Sequence, residues 1–216
     1  MFLPRSARDH FYPKHQRWDK NEEAAMLAKV FSFGLLGIEA YPIEIEVDVS
    51  GGLPAVTVVG LADIAIRESR ERVKSAIKNS GFHWPDGRIT VSLAPSDVKK
   101  EGPAFDLAIA LGVLAASQQL AGERLLGYFV LGELALDGSL RPVQGVLSIS
   151  ITAAKSETKN IIIPWQNTKE AAIVPGISVW PLRTLRETVE FLHSPADFRP
   201  CALEAGELFK DNSHYA

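Results

Sequence analysis

The sequence predicts an α+β domain: a mixed sheet with helices packed on one face. Three observations carry this. Residues 39–50 alternate strictly, with Ile43, Ile45, Val47 and Val49 on one side and Glu44, Glu46 and Asp48 on the other, the pattern of a half-wet strand. Residues 64–79 carry apolar side chains at helical spacing. From residue 88 onward, short apolar runs alternate with helical ones, so an antiparallel opening gives way to strand–helix alternation.

In chain order, a short strand is expected over Lys29–Gly34, then the alternating strand Glu39–Ser50. Gly51-Gly52 makes a turn, and Ala55–Val59 is expected to return as the partner of the preceding strand. Asp63 is placed to cap a helix over Ile64–Asn79 that stops at Ser80-Gly81. Arg88–Leu93 reads as a strand. Gly102-Pro103 then opens a long apolar run, Phe105–Leu114, expected to be the central buried helix. This charged Gly-Pro turn reads either as a plain helix start or as a place to present a nucleophile. Gly127–Leu136 reads as one strand bent near Gly132, with a hairpin turn at Leu136–Ser139. A helix over Val146–Lys155, a buried strand over Asn160–Pro164, a weaker strand over Ser178–Leu182 and an amphipathic helix over Thr184–Leu192 complete the core.

The ends differ in kind. Residues 1–25 mix basic, acidic and aromatic residues without a period, and are expected to be a disordered extension, with Met26 the preferred start. Residues 26–193 form the domain. After Pro195 the pattern decays, and 194–216 reads as a tail or truncated linker.

Composition narrows the function. The chain has 216 residues, 46% hydrophobic and 23% charged, with a net charge of −3. No global basic field points to nucleic acid, so any such contact would be local. The single cysteine, Cys201, excludes an internal disulfide, and the five histidines lack metal-ligand spacing. No run is long and apolar enough for a membrane span, and a soluble cytoplasmic protein is expected.

Several uncommon strings recur in a known order: Met26–Tyr41, Val58–Asp63 with Glu68–Val73, Ile89–Pro95, Lys100–Leu107, and Leu131–Leu134 through Arg141–Val143. Together they resemble the amino-terminal domain of the YifB/ComM family of magnesium-chelatase-like AAA+ proteins. The resemblance covers about residues 26–192. It implies a two-layer fold similar to the proteolytic domain of Lon, followed in the family by an ATPase module. It also implies a homo-oligomer (a hexameric ring in the full-length family) and a role in DNA processing during natural transformation. ATP and Mg are then expected only for that module, in cis, and no cofactor for this chain. On this reading the chain is either a cut domain or a truncated frame.

Two departures from catalytic patterns matter. A P-loop needs Gly-x-x-x-x-Gly-Lys-Ser/Thr to cradle phosphates, and no such string occurs. The Lon-type site resembled here uses a serine after a Gly-Pro turn and a lysine general base on a later helix. At those positions stand Ala104 and Ser148, and no lysine lies between Arg141 and Lys155. A methyl group cannot attack a carbonyl. A Lon-type peptidase is therefore disfavoured, as is a magnesium-chelatase ATPase-subunit role, which belongs to the absent module.

One surface remains. Arg67, Arg70, Lys74 and Lys78 line one stripe of the 64–79 helix, Glu68 and Glu71 partly offset it, Arg72 adds to it, and Lys99-Lys100 could extend it. The stripe reads either as a solvated face with i,i+3 and i,i+4 ion pairs or as a phosphate-contacting face. The resemblance favours sequence-independent DNA contact. No aromatics interleave with these cations along the helix, as stacking readout would require.

The dyad reading makes a direct prediction. The chain should leave unfolded protein substrates intact, a serine-directed phosphonate should label nothing, and Ala104→Ser alone should change neither result. Labelling of the unaltered chain at one serine would place a nucleophile elsewhere.

Overall fold

In the computed structural model, which describes residues 27–201, strand β1 (Leu27–Leu36) runs antiparallel to β2 (Glu39–Ser50), and this pair is the centre of the sheet. The alternation of β2 is realised as expected: Ile43, Ile45 and Val47 are fully buried. Three strands lie beyond on the β1 side: β5 (Phe129–Val130), β8 (Asn160–Pro164) and β9 (Ser178–Leu182), all parallel. On the β2 side stand β4 (Arg88–Ala94) and β3 (Ala55–Val59), giving the order β3-β4-β2-β1-β5-β8-β9. A separate two-stranded ribbon joins β6 (Glu133–Leu134) to β7 (Leu140–Arg141) across the expected hairpin turn. The mixed sheet of an α+β fold is thus observed.

Two expectations about pairing are corrected. β3 does not return against β2; β4 takes that place antiparallel, and β3 pairs parallel to β4 at the sheet edge. Burial explains the exchange. Ile89, Val91 and Leu93 of β4 are buried and suit an interior strand, whereas β3 is exposed or half-buried throughout. A parallel neighbour needs a crossover, and helix α1 (Ile64–Asn79) supplies it. The bent strand over 127–136 is also two strands in different sheets. At Gly132 the backbone leaves the sheet, its N–H donating to Ala104 O at 2.9 Å and its carbonyl accepting from Leu107 N at 3.0 Å.

Those bonds fasten the start of helix α2 (Asp106–Ala116), which follows one tight turn over Pro103–Phe105. Gly102 enters this turn at φ +85°, a conformation open to glycine. All of α2 except Ala115 is buried. It lies so close to the sheet that a Cβ on Gly112 would sit 2.5 Å from Val47 Cγ2.

Apolar side chains divide into two clusters. Val30, the inward side of β2 and β4, α1, α2 and helix α5 (Leu185–His193) form the larger. Phe31 and Phe33, which point the other way from β1, join the smaller with Val146 and Ile149 of helix α3 (Val146–Ala153) and Ala171 of helix α4 (Thr168–Ala172). The main helical layer therefore lies on one face, and α3 and α4 add a smaller apolar layer on the other. The five residues of α4 are too few to show a period, which is why the sequence does not announce them. Residues 194–201, expected to start the tail, pack on the domain: Phe198 meets Phe191 edge-on at 5.4 Å and Cys201 N donates to Val179 O. The expected extension over 1–25, Met26, and the stretch 202–216 lie outside the described residues.

One buried ion pair ties these layers. Arg72 of α1 reaches both oxygens of Asp106, with Nε to Oδ2 at 2.9 Å and Nη2 to Oδ1 at 3.2 Å. Asp106 Oδ2 also accepts from Leu134 N at 3.3 Å. Burial pushes the Asp106 carboxyl up to about 6, against the pull of Arg72.

Asp106→Ala should lower stability by about 2–3 kcal/mol in urea unfolding at pH 7, because a buried N–H and a guanidinium lose their acceptor. The folded chain holds the Asp106 proton more tightly than the unfolded chain. The part of the carboxyl's contribution that comes from its tighter proton binding is therefore full below about pH 4 and is lost as pH rises through about 6, while its hydrogen bonds to Arg72 and Leu134 N remain above that. The difference in unfolding free energy between parent and Asp106→Asn should fall across that window and be flat above it.

Candidate nucleic-acid interface

Helix α1 begins where Asp63 Oδ1 accepts from Ile66 N at 2.8 Å, and the other Asp63 oxygen accepts from Gly102 N at 3.1 Å. One carboxylate thus caps the helix and holds the Gly-Pro turn against it. The apolar stripe is seated as expected, with Ile66, Val73, Ala76 and Ile77 buried. Arg72 turns inward to Asp106 and is lost to the basic stripe. The remaining cations face outward: Arg67, Arg70 and Lys78 are exposed and Lys74 is half-buried.

Their partners decide between the two readings of this face. Arg70 Nε pairs with the adjacent Glu71 at 3.1 Å. Among the described residues, the side chains of Arg67, Lys74 and Lys78 make no hydrogen bond or ion pair. The i,i+3 and i,i+4 pairs that a self-neutralised helix would form are not made. Three cations stand available to an outside anion.

The extension to Lys99-Lys100 is only half sustained. Lys99 is exposed and pairs with Glu101 at 2.6 Å, which raises its pKa. Lys100 is fully buried and is corrected as a phosphate contact. Its Nζ donates to the carbonyl oxygens of Pro95 and Val98, the latter at 2.6 Å, and desolvation pulls its pKa down. Its backbone bonds to Leu61 O and Asp63 N, so this lysine locks the turn to the start of α1.

Beside the stripe lies a groove that sequence reasoning missed. A cavity of about 370 Å³ is walled by Pro54, Lys74, Lys78, Phe82 and Trp84, and runs beside a smaller one of about 160 Å³ that adds Arg70. Trp84, half-buried, lines both. The chain turns back at Gly81 (φ +85°) and lays Phe82-His83-Trp84-Pro85 along the side of α1. The aromatics absent from the helix itself arrive from the next loop. The signal was the Phe-His-Trp-Pro string directly after the helix stop.

The degenerate dyad positions are separate from this groove. Ala104 is half-buried in the Pro103–Phe105 turn and packs on the smaller apolar cluster, to which Val146 and Ile149 of α3 also belong. Ser148 is half-buried on α3, and its carbonyl accepts from Thr152 Oγ1 at 3.1 Å. Ala104 thus meets that cluster with a methyl, and neither this methyl nor the Ser148 hydroxyl is a general base. Among the described residues no group of three His, Cys, Asp or Glu could hold a metal ion, and no helix is long and apolar enough to cross a membrane.

Known proteins resemble this chain along most of its length. The family model described as subunit ChlI of Mg-chelatase matches residues 45–167. Competence protein ComM of Haemophilus influenzae is 44% identical over 167 residues, covering 77% of this chain and 33% of its own length. The YifB protein of Escherichia coli is 46% identical over 150 residues, 69% of this chain and 29% of its own length. A weaker similarity, 23% over 210 residues, reaches Lon protease 2 of Bacillus subtilis. The chain spans about a third of the length of the curated relatives it matches.

Lys100→Met keeps the apolar stem but strands two loop carbonyls. It should cost about 1–3 kcal/mol in urea unfolding and leave the salt dependence of duplex binding unchanged. A flattened salt slope would return Lys100 to the interface.

Proposed function

Since the chain belongs to the Mg-chelatase subunit ChlI family, within its YifB/ComM branch, we propose that it is a non-catalytic, Lon-like accessory domain that serves ring assembly and sequence-independent DNA contact. In this reading an AAA+ module in cis supplies ATP and Mg chemistry, the full-length protein forms a hexameric ring in the cytoplasm, and the process served is DNA handling during natural transformation. The observation that carries the DNA contact is that, among the described residues, the side chains of Arg67, Lys74 and Lys78 have no partner beside Arg70 on the outward face of α1. Cations left without protein partners on a rigid helix offer phosphate contacts without base readout. Ala104 and Ser148 speak against a peptidase at the Lon-type position.

Binding through this stripe is weak, indifferent to sequence and steeply salt-dependent. Four phosphate contacts give a slope of about −3.6 in log K against log salt, a loss of roughly 150-fold between about 50 and 200 mM salt. Net charge of −3 works against association elsewhere on the surface, so a ring gains by avidity. Arg70→Ala with Lys74→Ala, titrated with duplex at several salt concentrations, should flatten the slope by about 1.8. Equal affinity and equal slope for variant and parent would make the stripe a solvated face.

A further inference from the structure

The groove beside α1 adds to the cations of the stripe a feature that the stripe alone lacks, an aromatic wall beside an open cavity. We propose that it is a single-strand site in which Trp84 stacks one unpaired base while Arg70, Lys74 and Lys78 hold the adjoining phosphates. The proposal rests on the DNA-contact reading above and narrows it from any nucleic acid to an unpaired strand.

The geometry supports each part. The larger cavity, about 370 Å³, falls in the about 300–1,000 Å³ range of small-ligand pockets and suits one base. Trp84 lies where the two cavities adjoin, backed by the main apolar cluster, so its ring is held by packing. Pro54 also lines both cavities and supplies an apolar wall. Arg70, Lys74 and Lys78 follow at i, i+4 and i+8 along one helix edge, about 6 Å apart in rise. That is close to the phosphate repeat of an extended strand.

The acidic neighbours are placed so as not to close the site. Glu71 lines the smaller cavity but pairs with Arg70, and Asp86 lines the larger one with its side chain 95% exposed, 4.0 Å from His83. A duplex keeps its bases inside the stack, where Trp84 cannot reach them, so duplex contacts are limited to the rim cations. Stacking on a single ring tolerates any base, which agrees with contact that is indifferent to sequence.

The test uses fluorescence anisotropy of the full chain with a labelled oligothymidine and a labelled duplex at low salt. Trp84→Leu keeps apolar bulk without a π-face, and Trp84→Phe keeps the face. Trp84→Leu should lose about 5- to 100-fold in oligothymidine affinity, leave duplex affinity within twofold, and be largely rescued in Trp84→Phe. Circular dichroism melting checks that each variant is folded; if Trp84→Leu does not fold, Trp84→Met, which also lacks a π-face, takes its place with the same expected loss and the same overturning result. Equal oligothymidine affinity for Trp84→Leu and parent overturns the stacking site. If that occurs while Arg70→Ala with Lys74→Ala still weakens duplex binding, the stacking proposal alone fails. If the charge variant also changes nothing, the DNA-contact reading fails with it.

Discussion

The Arg72–Asp106 pair sets the orientation of α1, and most of what the domain can present to a partner depends on that orientation. Arg72 stands on the flank of α1, and its guanidinium reaches a carboxylate 34 positions further along the chain with 1% of its side chain exposed. A bidentate guanidinium–carboxylate contact fixes direction as well as distance. With Arg72 held inward, the rotation of the helix is settled: Ile66, Val73 and Ile77 go into the core and Arg67, Arg70 and Lys78 look out. Asp63 makes the same connection at the helix start, between the cap and Gly102. Lys100 completes it from beneath. The charged turn that precedes α2 is therefore a fastening between two helices, and its cations and anions are largely spent on the protein itself.

This division of labour explains why two neighbouring groups of basic residues have different fates. Lys100 is close in space to the start of α1 but is consumed by carbonyl oxygens in a loop that would otherwise leave them unpaired. Lys74 and Lys78, a few turns away, have no such claim on them. The same turn carries Ala104, the residue expected at the Lon-type nucleophile position. It contributes a carbonyl to Gly132 and packs against the smaller apolar cluster.

Long one-sided periods make the bounds of β2 and α1 legible, the short apolar runs of β8 and β9 also fall at their expected bounds, and Asp63 is the expected cap. What could not be read was long-range. No local pattern says that β4 inserts between β2 and β3, because both candidates are apolar and close in chain; only relative burial separates an interior strand from an edge. Nor does composition show that Gly132 gives its backbone to α2 rather than to a sheet neighbour. In the candidate interface the cations were legible from helical spacing, but their pairing was not. Arg72 and Lys100 looked as available as Arg70 until their partners, 34 residues away and in the preceding loop respectively, were known. Trp84 is not legible from the helix itself, because a positive-φ glycine at Gly81 brings the aromatics alongside it from the following loop.

The most direct measurement is a ¹⁵N-edited NMR titration of the chain with oligothymidine at low salt, following backbone amides and tryptophan indoles together. The expected result is a contiguous set of shifts over Arg70, Lys74, Lys78 and the Trp84 indole, with Ala104, Ser148 and Lys100 unmoved. Shifts centred on the Lys99–Glu101 turn or on α3, with α1 and Trp84 silent, would contradict the placement of the interface on the outward face of α1.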